Sequence, residues 1–289
     1  MVSGDGDLQG RPHLLVINAD DFGFAPGVNR GIVEAHAAGS LSSASMMVTT
    51  PAFHEAVALA RGSAPALGIG LHLNLVSGRP LTAVSTLADQ RTGDFHALPA
   101  LAQRAFTGRI DPDDVRRECD AQLERLAGSG IIPTHLDSHR HAHALPGILP
   151  AVIASALAHG IRIVRRPLDA LAATHPVASA RMLVLHAAWR RARRGLSPEG
   201  AALLARSPDF RGIALQGVPD VGRRLLALLD ALPRGATELM LHPGHDDAVL
   251  AAQDPYRHER ERELRVLTSS IVRARLARGD IRLVTFAAL

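Results

Sequence analysis

Carboxylate and imidazole side chains that could bind a metal ion are concentrated in four short stretches of the 289-residue chain. These stretches are NADDFG (18–23), GLHLN (70–74), THLDSHRHAHALP (134–146) and MLHPGHDD (240–247). Imidazole nitrogens and carboxylate oxygens are the common protein ligands of zinc and other divalent ions. The composition of the four stretches therefore predicts a metal centre.

The third stretch has a polar residue at every second position: His135, Asp137, His139, His141 and His143. In an extended chain these side chains would line one face. One ion seldom takes more than three or four protein ligands, so the whole row cannot bind the same ion. We expect one histidine to be a ligand and the others to support it or to face the substrate. The alternative interpretation is a histidine-rich surface loop.

In the first stretch, Asp20 and Asp21 are adjacent carboxylates that follow an apolar run. Such a pair is costly to bury unless a cation or hydrogen-bond donors compensate it. An N-cap for the helix that begins at Pro26 would explain one of them and leave the other unexplained. One aspartate could bind the metal while its neighbour acts as a base.

Two further histidines each have a simpler alternative interpretation. His72 lies between two leucines, so it could be a core histidine bonded to a backbone carbonyl. His242 precedes Pro243 and Gly244, so it could be a turn residue without a role. We favour metal binding for His72. A histidine can be protonated near neutral pH, so we expect His242 to be a general acid.

Strand-like and helix-like segments alternate along the chain, which predicts a parallel sheet covered by helices. The expected strands are 13–17, 43–48, 69–73, 134–137, 161–165, 212–216, 238–242 and 281–286. We predict an α/β fold, a distorted or incomplete (β/α) barrel with seven or eight mostly parallel strands. An open doubly wound sheet is the alternative. All four polar stretches follow strands, at the barrel face where active sites lie.

Residues 1–12 are expected to be a flexible tail and 13–289 a single domain. Helices are expected from Pro26, from Pro51, from Asp111 and over 178–195, among others. The stretch 78–108 is expected to be an insertion or a flap.

Composition excludes several classes of protein. All 32 basic residues are arginine, which excludes a P-loop and a Schiff-base enzyme. A single cysteine, Cys119, excludes an internal disulfide and is expected in the core. Aromatic residues make up only 3% of the chain, which argues against nucleic-acid binding. No apolar run is long enough for a transmembrane span, so we expect a cytoplasmic protein.

A basic segment, RMLVLHAAWRRARRGL (181–196), has its apolar side at Met182, Leu185 and Trp189. It could make peripheral contact with anionic lipid. An ordinary surface helix with a solvated arginine face is the favoured interpretation.

Five motifs in order, NADDFG, GVNRGIVEAH, GLHLN, THLDSHRHAH and HPG, resemble those of the ChbG/YdjC carbohydrate deacetylases, a superfamily that includes the hopanoid-associated HpnK branch. The resemblance covers about 13–170 and 237–289. It implies a distorted barrel and a divalent metal held by Asp21, His72 and His139. It also implies Asp20 as the catalytic base and, by analogy with other polysaccharide deacetylases, His242 as the acid. The family suggests Mg²⁺, whereas the ligand set suits Zn²⁺.

The function implied is removal of an N-acetyl group from an acetylated amino sugar, in an oligosaccharide or a glycolipid, with release of acetate. Asn74, His141 and His143 are expected to bind the substrate. Two alternatives remain open. One is another metal-dependent amidohydrolase on a barrel, and the other is a non-catalytic glycan- or glycolipid-binding protein. Neither the identity of the substrate nor the oligomeric state follows from the sequence.

Overall fold

A computed structural model describes residues 12–169 and 176–289, and its described part contains seven parallel strands in one sheet. They are β1 (His13–Phe22), β2 (Ser43–Met46), β3 (Gly68–Leu73), β4 (Leu136–Ser138), β5 (Asp209–Arg211), β6 (Ala236–Leu241) and β7 (Ile281–Leu283). The sheet order is β4-β3-β2-β1-β6-β5, and β7 pairs with the first residues of β1. The sheet curls into an incomplete barrel, which confirms the predicted fold class.

The predicted strand at 161–165 is wrong. This segment makes one isolated bridge, between Val164 and Leu136, instead of a ladder. The Arg165 amide donates to the Leu136 carbonyl at 2.9 Å, and the Ser207 hydroxyl donates to the Val164 carbonyl at 2.5 Å. The segment therefore follows the open edge of β4 without completing the barrel.

The predicted strand at 212–216 is also wrong, because the strand comes earlier and ends before this segment. β5 occupies 209–211, and Gly212 has a φ of +136°, outside the extended region. Residues Ile213–Leu215 then form a 3₁₀ helix. A Cβ on Gly212 would lie 2.4 Å from the Met240 carbonyl oxygen, so the close approach of β6 requires glycine here.

Eleven helices in the described residues cover the sheet: α1 (Pro26–Ala37), α2 (Phe53–Gly62), α3 (Leu98–Phe106), α4 (Pro112–Gly128), α5 (Leu149–Ala158), α6 (Pro176–Ala192), α7 (Pro198–Ala205), α8 (Val221–Asp230), α9 (Ala248–Gln253), α10 (His258–Leu267) and α11 (Ser270–Leu276). Several begin with proline, whose fixed φ suits the first turn. The core lies between these helices and the sheet, where Leu15 and Ile17 of β1 are buried together with Val28 and Ile32 of α1.

The stretch 78–108 contains α3 and is fastened to α4 by two buried carboxylates. Glu118 accepts the backbone amides of Leu81 and Thr82 at 3.0 and 2.9 Å. Asp114 accepts the amides of Ser85 and Thr86 at 2.8 and 2.7 Å. The start of the predicted flap is thus held by several hydrogen bonds to a core helix.

The predicted tail lies outside the described residues except for residue 12, and so do residues 170–175. In α6, Met182 and Trp189 are buried while Arg190 and Arg191 are exposed, a pattern that fits an ordinary surface helix. Cys119 is buried in the core, as expected, and burial raises the pKa of its thiol to about 12. Within the described ranges no helix combines the length and apolarity needed to cross a membrane.

Candidate metal centre

The strand order brings the predicted site residues to one edge of the sheet. Asp20 and Asp21 lie near the end of β1, His72 lies near the end of β3, and His139 directly follows β4. His72 and Asp137 are partners in the β3–β4 ladder. Parallel strands end at a common edge, so residues far apart in the sequence meet there.

β1 is irregular where its two aspartates lie. Its pairing register with β2 shifts between Ala19 and Phe22, and Asp21 has a φ of +70°. A left-handed conformation is uncommon for residues other than glycine and is often found at functional sites. The irregularity gives the neighbouring carboxylates of Asp20 and Asp21 different partners.

Asp21, His72 and His139 form a compact buried cluster. Asp21 Oδ1 lies 3.1 Å from His72 Nε2 and 2.8 Å from His139 Nδ1. One ligand atom from each of the three residues can be chosen so that all lie within 4.8 Å of one another. Two nitrogens and one oxygen at this spacing fit a catalytic divalent-metal site that keeps a position for water or substrate.

The other oxygen of Asp21 is occupied by Arg260. Its Nη2 donates to Asp21 Oδ2 at 2.6 Å and to Asp254 Oδ2 at 2.8 Å. Burial alone would raise the pKa of Asp21, but the nearby His139 and Arg260 hold it well below its usual range. Asp21 is therefore ionised, with Oδ1 as the oxygen that faces the histidines.

Asp137 orients His72. The Nδ1 of His72 lies 2.7 Å from Asp137 Oδ1, which leaves Nε2 facing Asp21. Asp137 Oδ2 in turn accepts from the Ser45 hydroxyl at 2.7 Å and forms an ion pair with Arg165 Nη2 at 2.6 Å. A carboxylate on the far nitrogen is the usual outer partner of a metal-binding histidine.

The cluster carries enough negative charge to attract a cation. Burial lowers the pKa of His72, but the carboxylates of Asp137 and Asp20 outweigh it and raise that pKa to about 10. These carboxylates favour a positive charge at His72. A divalent ion bound here would supply that charge and would displace any proton from the nitrogen it binds.

Asp20 lies beside this cluster and forms a bidentate ion pair with Arg165. Nη1 donates to Oδ2 at 2.6 Å, and Nη2 donates to Oδ1 at 2.7 Å. The Asn18 amide also donates to Oδ1, at 2.9 Å. Asp20, His72 and Asp137 form a second group with metal-like spacing, but there Arg165 already supplies the positive charge.

The histidine row does not continue as an extended chain. The strand ends at Ser138, and residues 139–144 form a kinked 3₁₀ segment in which Arg140 and His141 have φ values of +54° and +55°. The alternating face expected from the sequence is thus broken after Ser138. Only His139 joins the Asp21 cluster.

His135 and His143 are buried supports. The ring nitrogens of His143 lie 2.5 Å from the Ser138 hydroxyl and 3.0 Å from the Arg165 carbonyl. His135 lies 3.1 Å from Ser45 Oγ and stacks on Phe286. Burial lowers the pKa of His135 to about 3 and that of His143 to about 4, so both rings are neutral.

Two residues expected to bind the substrate have their polar atoms engaged within the protein. Both ring nitrogens of His143 are occupied, as described above. The Asn74 amide donates to the Thr49 hydroxyl and to the Ser77 carbonyl, both at 2.7 Å. Its oxygen accepts the amides of Val76 and Ser77. The polar atoms of Asn74 therefore hold its own loop, and substrate binding by Asn74 and His143 stays a prediction.

His141 and His242 are only half-buried, and each packs edge-on against an aromatic ring. His141 lies 5.7 Å from Phe210, and His242 lies 5.6 Å from Tyr256. The Nδ1 of each is buried without a hydrogen bond in the described structure. Burial, with Arg165 and neighbouring histidines including His242, lowers the pKa of His141 well below its usual value.

Sequence reasoning missed the two arginines of the site. Arg165 ends the predicted strand 161–165, so the rule that flagged other polar residues at strand ends could have found it. Arg260 lies in the charged run HERERELR, which resembles a solvated helix face. Both side chains are nevertheless 1% exposed.

Comparison with known proteins fits this arrangement. The family model described as YdjC-like protein matches residues 14–278. The chain belongs to the YdjC-like family. Among YdjC-like relatives, the carbohydrate deacetylase of Geobacillus stearothermophilus is 35% identical over 276 residues, covering 95% of this chain and 97% of that protein. The human carbohydrate deacetylase is 34% identical and covers 94% of this chain and 90% of its own length.

The YdjC-like fold is also seen in a crystal structure from Enterococcus faecalis V583, whose suggested activity is cellobiose-phosphate cleavage. It superposes with a TM-score of 0.75 at 29% sequence identity, covering 96% of this chain and 99% of the other. The two proteins share one architecture over nearly their whole lengths.

Proposed function

We propose that this YdjC-like chain is a metal-dependent carbohydrate deacetylase that hydrolyses the N-acetyl group of an acetylated amino sugar. The observation that carries the proposal is the buried Asp21–His72–His139 cluster beside the ion-paired carboxylate of Asp20. Two relatives that match over almost the full chain are named carbohydrate deacetylases, which supports the same activity.

Asp21 Oδ1, His72 Nε2 and His139 Nδ1 would hold the divalent ion. One carboxylate oxygen and two imidazole nitrogens favour Zn²⁺ or a similar transition metal, and the family resemblance adds Mg²⁺ as a candidate. When bound, such an ion supplies Lewis acidity, which favours loss of a proton from water and stabilises negative charge on the acetyl oxygen.

Asp20 is the proposed base that takes a proton from the attacking water. Its Oδ1 accepts two hydrogen bonds, from Arg165 and Asn18. Its Oδ2 accepts only one from the described residues, from Arg165. A carboxylate oxygen can accept about two hydrogen bonds, so Oδ2 keeps a lone pair for water. Arg165 and Asn18 fix the direction of that lone pair.

His242 is the proposed acid that gives a proton to the departing amine. Its backbone amide donates to Glu263 Oε2 at 2.5 Å, and its ring packs against Tyr256, which itself donates to Glu263. Addition of water and cleavage of the C–N bond give acetate and a free amine, with one proton taken by Asp20 and one given by His242. His141, half-buried beside the same site, is the proposed contact to the sugar.

The test measures acetate release from N-acetylglucosamine and its oligomers, using protein loaded with Zn²⁺ or Mg²⁺ and protein treated with chelator. We expect release only with metal, and little or none from Asp21→Asn. The asparagine keeps the size of the side chain and loses its charge. The proposal fails if metal-loaded wild-type protein releases no acetate from any of these sugars, or if Asp21→Asn matches it.

A further inference from the structure

We propose that Arg165 is a positioning residue that joins the base Asp20 to the Asp137–His72 pair, and that Glu238 sets the direction of its guanidinium. The inference rests on the proposed function, because it assigns Arg165 to the support of that site. It goes beyond that function by naming one side chain that aligns the base and a metal ligand together.

Three hydrogen bonds and one further ion-pair contact from one guanidinium define the arrangement. Nη1 and Nη2 hold both oxygens of Asp20 at 2.6 and 2.7 Å. Nη2 also lies 2.6 Å from Asp137 Oδ2. Nε donates to Glu238 Oε1 at 2.6 Å. All four side chains are buried, with at most 2% of their surfaces exposed.

The shared nitrogen matters for the chemistry. Nη2 contacts Asp20 Oδ1 and Asp137 Oδ2 at the same time, so the two carboxylates cannot shift independently while it stays in place. Asp137 Oδ1 then fixes His72 through Nδ1 at 2.7 Å. The base and the metal-facing Nε2 of His72 are thereby linked through one planar group.

The guanidinium is itself fixed from several directions. The Arg165 amide donates to the Leu136 carbonyl, and the Arg165 carbonyl lies 3.0 Å from His143 Nε2, so its backbone is held by the strand and segment that carry Asp137 and His139. The ring of Phe210 lies 5.3 Å from the guanidinium carbon. The hydrogen bond from Nε to Glu238 then fixes the rotation of the guanidinium group.

A lysine would keep the positive charge of Arg165 but could not reproduce this geometry. An ammonium is a point donor without a planar fork, so it cannot hold both oxygens of Asp20 and reach Asp137 in the same arrangement. If Arg165 only neutralised the surrounding carboxylates, Arg165→Lys would behave like the wild type. If Arg165 positions them, Arg165→Lys is impaired.

The first measurement is metal affinity, which does not depend on activity. Zn²⁺ and Mn²⁺ are titrated calorimetrically into metal-free wild type, Arg165→Met and Arg165→Lys. Loss of a positive charge alone would tighten cation binding, whereas loss of positioning weakens it. We expect about tenfold weaker binding or more in both variants, the range seen when outer partners of metal ligands are removed. Unchanged or tighter binding in both variants overturns the proposal.

The second measurement separates kcat from KM in acetate release. We expect kcat to fall by about 100-fold in Arg165→Lys with KM little changed, since a misplaced catalytic group costs roughly that much. Arg165→Ala removes the whole side chain, and added guanidinium ion should restore part of its kcat. A purely structural role predicts no such rescue. The proposal is contradicted if guanidinium ion does not restore kcat in Arg165→Ala and Arg165→Lys keeps the wild-type kcat.

Arg275 provides a matched control. It is also a buried arginine, paired with Asp230 at 2.6 Å and Asp280 at 2.9 Å, in α11 away from the cluster. Arg275→Met should lower thermal stability and leave metal affinity and kcat unchanged. If Arg165→Met does not fold, Arg165→Lys, which keeps the charge, decides both measurements. If the wild type releases no acetate, the proposed function is refuted, but the metal titrations still test whether Arg165 positions the metal ligands.

Discussion

Asp20 and Asp21 are adjacent in the chain, yet their carboxylates have different direct partners. Asp20 pairs with Arg165, whereas Asp21 faces His72 and His139 and is held from behind by Arg260. The left-handed φ of Asp21 and the register shift in β1 make this separation possible. A regular strand would point the two side chains to opposite faces of the sheet, with only one of them toward the site.

Replacement of His139 should remove metal binding. His139→Gln keeps a polar side chain and loses the imidazole nitrogen that lies 2.8 Å from Asp21. We expect calorimetry to show a loss of Zn²⁺ affinity larger than the roughly 10–100-fold that removal of an outer partner costs. The exposed His258 gives the control, since His258→Gln should bind like the wild type. Equal affinities in the two variants would remove His139 from the ligand set.

Asp137→Asn should weaken metal binding without abolishing it. The amide keeps the shape of the carboxylate, but it loses the negative charge that strengthens the 2.7 Å bond to His72 Nδ1 and that pairs with Arg165. Poorer orientation of His72 and the lower negative charge both weaken metal binding, because a less negative site attracts a cation less strongly. We expect about 10–100-fold weaker Zn²⁺ binding in a calorimetric titration. Wild-type affinity would show that Asp137 does not orient His72.

His242→Ala should slow hydrolysis of amides more than hydrolysis of esters. An amine leaves poorly without a proton, whereas the phenolate of an aryl acetate leaves without one. We expect kcat for N-acetylglucosamine oligomers to fall by about 100-fold or more, within the usual range for general acid catalysis. Activity toward an aryl acetate and Zn²⁺ affinity should stay near those of the wild type. An equal loss on both substrates would exclude His242 as the acid.

Stability should fall in acid partly through His143. Burial depresses its pKa in the folded state from 6.5 to about 4, so the unfolded chain binds more protons between these values. The stabilising effect of the neutral ring is complete above about pH 6.5 and is lost as the pH falls through about 4. His143→Gln cannot titrate, so in this window the free energy of unfolding of the wild type should decline more steeply, by up to about 1.4 kcal/mol per pH unit. Urea unfolding of metal-free protein at several pH values measures this, and parallel curves would contradict it.

Gly70→Ala should destabilise the fold at the strand that carries His72. A Cβ at position 70 would lie 2.4 Å from the ring of His135, which is itself stacked on Phe286 at 3.9 Å. Overpacking of this kind costs about 1–3 kcal/mol, and the displaced ring would also disturb Ser45. Urea unfolding should show the loss.

The control for this variant is a glycine with room for a Cβ. Gly39→Ala is not suitable, because Gly39 has a positive φ. Gly62 has ordinary helical geometry and open space around it. Gly62→Ala should leave stability unchanged or slightly higher.

Much of the architecture follows from local patterns in the sequence. Alternating apolar segments and proline-started helices predicted an incomplete parallel barrel, and the stripe of Val115, Cys119 and Leu123 predicted α4. The polar residues at strand ends predicted a common site, and Asp21, His72 and His139 do meet there. The same patterns placed strands at 161–165 and 212–216, where one isolated bridge and a 3₁₀ helix occur, because apolar runs do not reveal whether a partner strand is available.

The sequence by itself determined most of the elements and which polar residues lie at their carboxyl ends, since these depend on neighbours a few positions away. Only the tertiary structure decided which of those residues act together. Arg165 meets Asp20 across 145 positions, and Arg260 meets Asp21 across 239. The break in the histidine row at Arg140 and His141 likewise depends on backbone angles that no periodicity predicts. Buried charges are stable only beside their partners, and the fold alone brings those partners together.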